Sequence, residues 1–509
     1  MDILAQVAHG FVVAAQPANL WFLFIGALLG TVFGMMPGIG ASTTIALLLP
    51  VTFGMDALPA LIMLSGIYYG AMFGGAGSAI LLNTPGTAST AMTTMDGYPM
   101  ARNGRGGAAL AIAAIASFCA GTIGVIALSA LAIPLSIFAL RFGPAEYFML
   151  MLFALTAVAG FTGRSVFKGL LSATFGLMIA TVGVDMQTMT FRYTLGVPEF
   201  QNGISFLVVI VGLFAIAEVL RNVELWFQGA ATAVRIKGRL WFTADEWRQA
   251  RGAIGRGSVI GFLIGVLPGT GGTIATVLAY DCERKVSRQP ERFGHGAVAG
   301  LAAPEAANNA ATAGSLVPLL TLGVPGSGTA AILLAAHIMY GIQPGPLLFQ
   351  HQPELVWGLI NSMYLGNIML LILNLPLIGL FVRILYIPPG ILMGLILVIA
   401  TVGTYSLNNS VVDLYLLLGF GVLGYLFRKT GVPIPPLILG LVLGAGMEQN
   451  LRQAMIISDG DPSYLVASPI AATLAVLALL VIGSSIVTPV LKARRRASGI
   501  PDAVGNGSP

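Results

Sequence analysis

Charge is scarce in this chain: Asp, Glu, Lys and Arg make up only 9% of its 509 residues. Soluble domains carry about 25%, so too few charged groups remain to clothe a water-facing surface, and a soluble globular fold is excluded. Cysteine is nearly absent too. Cys119 lies in an apolar run and Cys282 in a basic loop, which argues against a disulfide framework. No Lys or Arg precedes Arg102, so the N-terminus lacks the basic region of a signal peptide, and its first apolar segments are expected to be retained. The histidines His9, His295, His337 and His351 are scattered and form no H-E-x-x-H, and no G-x-x-x-x-G-K-[ST] loop occurs. Those absences tell against an intramembrane enzyme and against an ATP-hydrolysing subunit.

What is abundant is apolar. The chain is 56% hydrophobic, with a mean hydropathy of +0.89. The stretches 107–140, 354–386 and 467–491 are each long enough to cross a bilayer. The expected fold is an all-α polytopic membrane protein with roughly 10–12 transmembrane segments. Its 65 glycines and 28 prolines favour broken or closely packed helices over a simple bundle. Basic residues cluster at 221–256, at 284–292 and at Lys492–Arg496. Cytoplasmic loops collect Lys and Arg, which places these segments and the C-terminus in the cytoplasm and the N-terminus outside. The net charge of +5 is therefore read as loop orientation rather than nucleic-acid affinity.

The sequence repeats itself. Gly30-x-x-x-Gly34-x-x-Pro37-Gly38-x-Gly40 recurs 231 positions later as Gly261-x-x-x-Gly265-x-x-Pro268-Gly269-x-Gly271. Thr84-Pro85-Gly86-Thr87 is matched 240 positions later by Val324-Pro325-Gly326-Ser327. The resulting division is a first transmembrane repeat at 1–200, a helix with a basic cytoplasmic linker at 201–256, and a second repeat at 257–466. A final helix at 467–491 and a cytoplasmic tail at 492–509 complete it. Basic residues alternate between corresponding loops of the halves: 100–105 is basic where 343–354 is not, and 281–292 is basic where the loop at Asp56 is not. That alternation favours two inverted-topology repeats with re-entrant hairpins or broken helices, the pattern of secondary transporters; duplication without inversion is the competing reading.

Each Pro-Gly pair interrupts an apolar segment, and non-helical backbone at membrane depth is tolerated only where it is buried or lines a cavity. The candidate site residues follow from these breaks. They are Pro37, Gly38 and Gly40 with Ser42 and Thr43; Asn83, Thr84, Pro85 and Gly86 with Thr87 and Ser89; Pro268, Gly269 and Gly271 with Thr273; and Pro325 and Gly326 with Ser327 and Thr329. Freed backbone groups, half-helix N-termini and hydroxyls suit a carboxylate or a small cation, although Ser and Thr also serve to tighten helices. Glu305, with Asn308 and Asn309 one helical turn on, forms an ionisable cluster that binds a cation, relays a proton or merely caps a helix at the interface.

At these residues the sequence resembles a known family. The runs Gly70-Ala-Met-Phe-Gly-Gly-Ala-Gly-Ser-Ala-Ile-Leu-Leu-Asn-Thr-Pro-Gly86 and Pro304-Glu-Ala-Ala-Asn-Asn-Ala310, with the paired Pro-Gly-x-Gly motif, resemble the large membrane subunit of the tripartite tricarboxylate transporters. The likeness extends from about residue 19 to residue 490. It implies a bacterial inner-membrane permease, not an enzyme, related to elevator-type transporters. It further implies a small four-helix membrane subunit and a periplasmic solute-binding protein as partners. Citrate or a smaller carboxylate would be imported on a gradient of Na+ or H+, without a cofactor and without a metal beyond transient Na+. The substrate is expected between the tips at 83–90 and 324–329, with the N-terminus in the periplasm. The alternatives are an intramembrane enzyme and a passive anion channel.

Overall fold

A computed structural model describes residues 3–36, 38–162, 165–185, 187–226, 241–376 and 389–497. The first part of the chain forms α1 (Ile3–Ala14), α2 (Pro17–Met35), α3 (Gly40–Leu48), α4 (Ala57–Leu82), α5 (Ala91–Met100), α6 (Gly106–Ala139), α7 (Pro144–Phe161) and α8 (Val166–Ala180). A two-stranded antiparallel hairpin, β1 (Gly183–Val184) and β2 (Phe191–Arg192), follows. It is the one departure from the all-α expectation among the described residues. Then come α9 (Phe206–Val211), a π-helical turn at Gly212–Ile216, and α10 (Ala217–Trp226). The second part forms α11 (Ala244–Val266), α12 (Gly271–Val286), α13 (Val298–Leu322), α14 (Gly328–Met339), α15 (Leu348–His351), α16 (Pro353–Asn374), α17 (Pro389–Asn408), α18 (Val411–Thr430), α19 (Pro435–Ile457) and α20 (Pro469–Ala497). Eight helical segments among the described residues are long and apolar enough to cross a membrane.

The sequence repeat is visible as a repeat of packing. A Cβ built on Gly26, Gly30 or Gly34 of α2 would lie 2.2–2.5 Å from the carbonyl oxygens of Met63, Ile67 or, at Gly34, from the backbone of Ala71 on α4. On α11, Gly257, Gly261 and Gly265 stand in the same relation to Ala303, Ala307 and Ala311 of α13, at 2.3–2.5 Å. Four-residue glycine spacing lets two backbones touch along a whole face, and dispersion then replaces the hydrophobic drive that lipid does not supply. The helix ends repeat as well: α4 stops at Asn83 (φ 55°) and α13 at Gly323 (φ 70°), left-handed caps that expose the chain to the Pro-Gly turn beyond.

The segment at 257–283 is a helical hairpin rather than a single broken helix. Arg256 near the middle of α11 donates to both carboxylate oxygens of Glu283 near the end of α12, at 2.9 and 2.6 Å. The two helices therefore run antiparallel, with Leu267–Thr270 at their tip. The boundary placed at 257 falls inside α11. The halves also exchange helices. α19, near the end of the second half, packs Gly440 and Gly444 against Ala173 and Ala180 of α8, while the π turn that follows the first half packs Gly212 against Leu417 and Gly421 of α18.

α4 and α13 are buried along almost their whole length and form the core. α17 and α18 instead expose apolar faces, Ile391, Leu395, Val398 and Val402 on one and Tyr415, Leu418 and Val422 on the other, as lipid-facing helices do.

Two buried carboxylates lock the halves together. Asp96 of α5 accepts from the backbone N–H groups of Gly294, Gly296 and Ala297 at 2.7–2.9 Å and from Tyr280 at 3.0 Å, plugging the N-terminus of α13. Glu305 of α13 accepts from Thr93 of α5 and, at 3.3 Å, from Ser117 of α6.

Candidate binding cavity at the four chain breaks

The tips built by the four Pro-Gly pairs converge. In the second half Gly269 N–H donates to the Gly326 carbonyl at 3.1 Å, and Gly326 N–H to the Ser315 carbonyl at 3.3 Å. In the first half Gly86 lies so close to Gly34 and Gly75 that an added Cβ would sit 2.1 Å from the Gly34 carbonyl oxygen. Gly38, Gly40, Gly269 and Gly271 all take positive φ, at 92°, 59°, 80° and 56°, a conformation that costs glycine nothing. Each half thus sets two tips side by side.

Between the two pairs of tips is a cavity of about 760 Å³, within the ~300–1,000 Å³ usual for small-molecule sites. It is lined by Gly38, Gly40, Ser42 and Thr43 from the first break, and by Thr84, Pro85, Gly86, Thr87 and Ser89 from the second. The third supplies Gly269, Gly271 and Thr273, and the fourth Ser327 and Thr329; Asn308 joins them from α13. Asn83, Pro268, Glu305, Asn309, Pro325 and Gly326 are not on its wall. Pro37 lies outside the described residues. Glu305 and Asn308 share a helix turn, yet Glu305 turns to Thr93 and Ser117 while Asn308 turns to the cavity.

Sequence reasoning missed seven polar residues of the wall: Tyr68, Thr162, Glu218, Arg221, Asn222, Thr312 and Arg428. Glu218 is only 1% exposed. Its carboxylate is paired with Arg428 of α18 and accepts from Asn222 Nδ2 at 2.9 Å. The π turn at Gly212–Ile216 inserts an extra residue just before it, a distortion frequent at functional sites. Tyr68 lies in the apolar run of α4, and its hydroxyl meets that of Ser327 at 2.9 Å. Ser42 and Thr329, one from each half, are 2.8 Å apart.

Four helical segments begin at this cavity, and their N-terminal amides carry partial positive charge. Ser327 caps α14 by accepting from Ala330 N–H at 3.1 Å, and Thr87 with Thr90 boxes the turn at 88–90. α3 and α12 have no cap from the side chain of their N-cap residue, which leaves their first amides to be satisfied by other groups. With Arg221 and Arg428 against Glu218, the wall has one more positive than negative side chain. A second cavity, about 350 Å³, adjoins the Thr243 cap of α11; its Arg105 and Glu246 are paired with each other.

A polytopic helical protein enclosing a polar cavity where broken helices meet has the architecture of a membrane transporter. The family comparison agrees: the Tripartite tricarboxylate transporter TctA family model matches residues 20–439, and the chain belongs to that family. Two relatives come from Agrobacterium vitis. The "Uncharacterized 52.8 kDa protein in TAR-I ttuC' 3'region" is 44% identical over 479 residues, covering 94% of this chain and 95% of the relative. The "Uncharacterized protein in TAR-II ttuC' 3'region" is 49% identical over 220 residues, covering 43% of this chain and 91% of the relative. No solved structure matches the chain.

Proposed function

We propose that the chain is the large permease subunit of a secondary transporter that imports carboxylates, tricarboxylates such as citrate or smaller relatives, into the cytoplasm. The observation that carries this reading is the cavity itself, where two uncapped helix N-termini and a surplus guanidinium stand among hydroxyls. Such a wall suits a multiply charged anion without placing several fixed cations in lipid.

The halves form inverted-topology repeats, and elevator-like displacement of the paired tips carries the substrate across. Alternating basic loops and the exchange of α19 and α9–α10 between halves support this arrangement. Coupling ions, Na+ or H+, travel with the carboxylate, because moving charge together lowers the electrostatic cost of the low-dielectric interior. A solute-binding protein delivers substrate from the periplasm, and a small four-helix subunit completes the membrane complex. The C-terminus is cytoplasmic and the N-terminus periplasmic, in the inner membrane.

The test is uptake of labelled citrate, succinate and acetate into proteoliposomes holding the chain with its small subunit. The binding protein and an imposed Na+ or H+ gradient are each supplied or omitted. Uptake that requires both is the expected result. Uptake with neither indicates a channel, and no uptake of any carboxylate overturns the substrate class.

A further inference from the structure

The two halves place equivalent residues around the cavity, but the two half-sites are not equivalent. Under the repeat, Tyr68 corresponds to Asn308 and Ala41 to Gly272. In the first half the matching polar groups are taken up by the protein's own contacts. The Tyr68 hydroxyl bonds to Ser327, Ser42 bonds to Thr329, and Glu218 Oε1 lies 2.6 Å from where a Gly38 Cβ would stand. In the second half none of these occupants recurs. Gly269 abuts the α7 backbone at Val158. Asn308, 1% exposed, has no partner for Oδ1 or Nδ2 among the described residues. Its Oδ1 lies 2.9 Å from where a Gly272 Cβ would stand, with Ser89 Cβ 3.1 Å away from the same point.

A buried amide left without partners costs stability, and here it faces the first-turn amides of a helix of 16 residues. Those amides are donors, and beside them stands a buried side-chain amide with neither atom partnered among the described residues; donors at a helix N-terminus call for an anionic acceptor. We infer that one carboxylate group of the substrate binds at the N-terminus of α12, held by the Gly271–Thr273 backbone and Asn308, while at α3 Glu218 stands in the equivalent place and Tyr68 is held by Ser327. The inference rests on the carboxylate reading above and makes it asymmetric: the glycine at 272 leaves room for the Asn308 and Ser89 side chains to stand against the start of α12, whereas the matching residue of α3 is Ala41.

The experiment is equilibrium binding of labelled citrate to the purified full-length chain in lipid nanodiscs. Asn308→Ala removes the side-chain amide, and Gly272→Ala keeps it but puts a methyl 2.9 Å from Asn308 Oδ1, which pushes that side chain away from the helix end. Each is expected to raise the Kd about tenfold or more, as loss of a hydrogen bond to a charged group does. Asn308→Asp is expected to abolish binding through like-charge repulsion. Thermal unfolding confirms that each variant is folded, and if Asn308→Ala is not, Gly272→Ala decides. Unchanged affinity in a folded Gly272→Ala protein overturns the subsite while leaving the carboxylate reading standing. No binding of citrate, or of labelled succinate or acetate in its place, by the unaltered chain overturns both.

Discussion

The first and third chain breaks have nearly the same backbone and very different neighbours. Gly38 and Gly269 share a positive φ, and the helices behind them pack glycine to carbonyl at matching positions. Yet a side chain at Gly38 would meet the carboxylate of Glu218, held by Arg428, while one at Gly269 would meet the backbone of α7. Where two backbones touch, the duplicated halves have stayed alike, because any side chain there collides. Where side chains reach into the cavity, they have diverged, and the divergence leaves one half self-satisfied and the other open.

The comparison can be broken first on its charged side. Arg428→Ala strands Glu218, which is 1% exposed. Removing one partner of a buried pair costs about 3–5 kcal/mol, so a large fall in the midpoint of thermal unfolding is expected, with Arg428→Lys restoring part of it. Next come the matched glycines. Gly261→Ala and Gly30→Ala place a Cβ 2.3 and 2.4 Å from a carbonyl oxygen, an overpacking expected to cost about 1–3 kcal/mol each. Similar losses in the two, read from unfolding midpoints, would show that the repeated interfaces are energetically alike.

Asp96→Asn is milder. It keeps an acceptor for the amides of Gly294, Gly296 and Ala297 but removes the charge, with an expected loss of about 1 kcal/mol. The smallest effect lies outside the membrane, at the β-hairpin. The Arg452 guanidinium, hydrogen-bonded to Asp185 at 2.8 Å, holds that carboxyl well below the usual carboxylate range. A depressed folded value stabilises above the unfolded value of about 3.9 and is lost as pH falls through the lower folded one. Hydrogen exchange at 183–192 is therefore expected to be insensitive to protonation of Asp185 from pH 7 to 5 and to show loosening only below about pH 4; Asp185→Asn should remove that acid-dependent step.

The backbone of the site was legible in the sequence and much of its chemistry was not. Pro-Gly pairs at 37–38, 85–86, 268–269 and 325–326 announce themselves, because few other residues accept the turns they make. Ser42, Thr87, Thr273 and Thr329 follow them closely and reach the same cavity. Glu218 and Arg428 meet across 210 positions, a separation at which no local pattern speaks, and Tyr68 hides among apolar neighbours. Glu305 and Asn308 share a turn, but three residues on a helix leave about 60° between them, enough to give them different neighbours.

The most direct measurement is thiol labelling at position 273. With Cys119 and Cys282 replaced by serine, Thr273→Cys puts a single reactive group on the cavity wall beside the N-terminus of α12. Its rate of modification by a charged maleimide would be followed in membranes with and without citrate or succinate, and a cysteine at exposed Leu195 would serve as the control. Protection at 273 that saturates with carboxylate concentration, and none at 195, is the expected result. Equal labelling at 273 under all carboxylates, in protein whose uptake is intact, would contradict binding in this cavity.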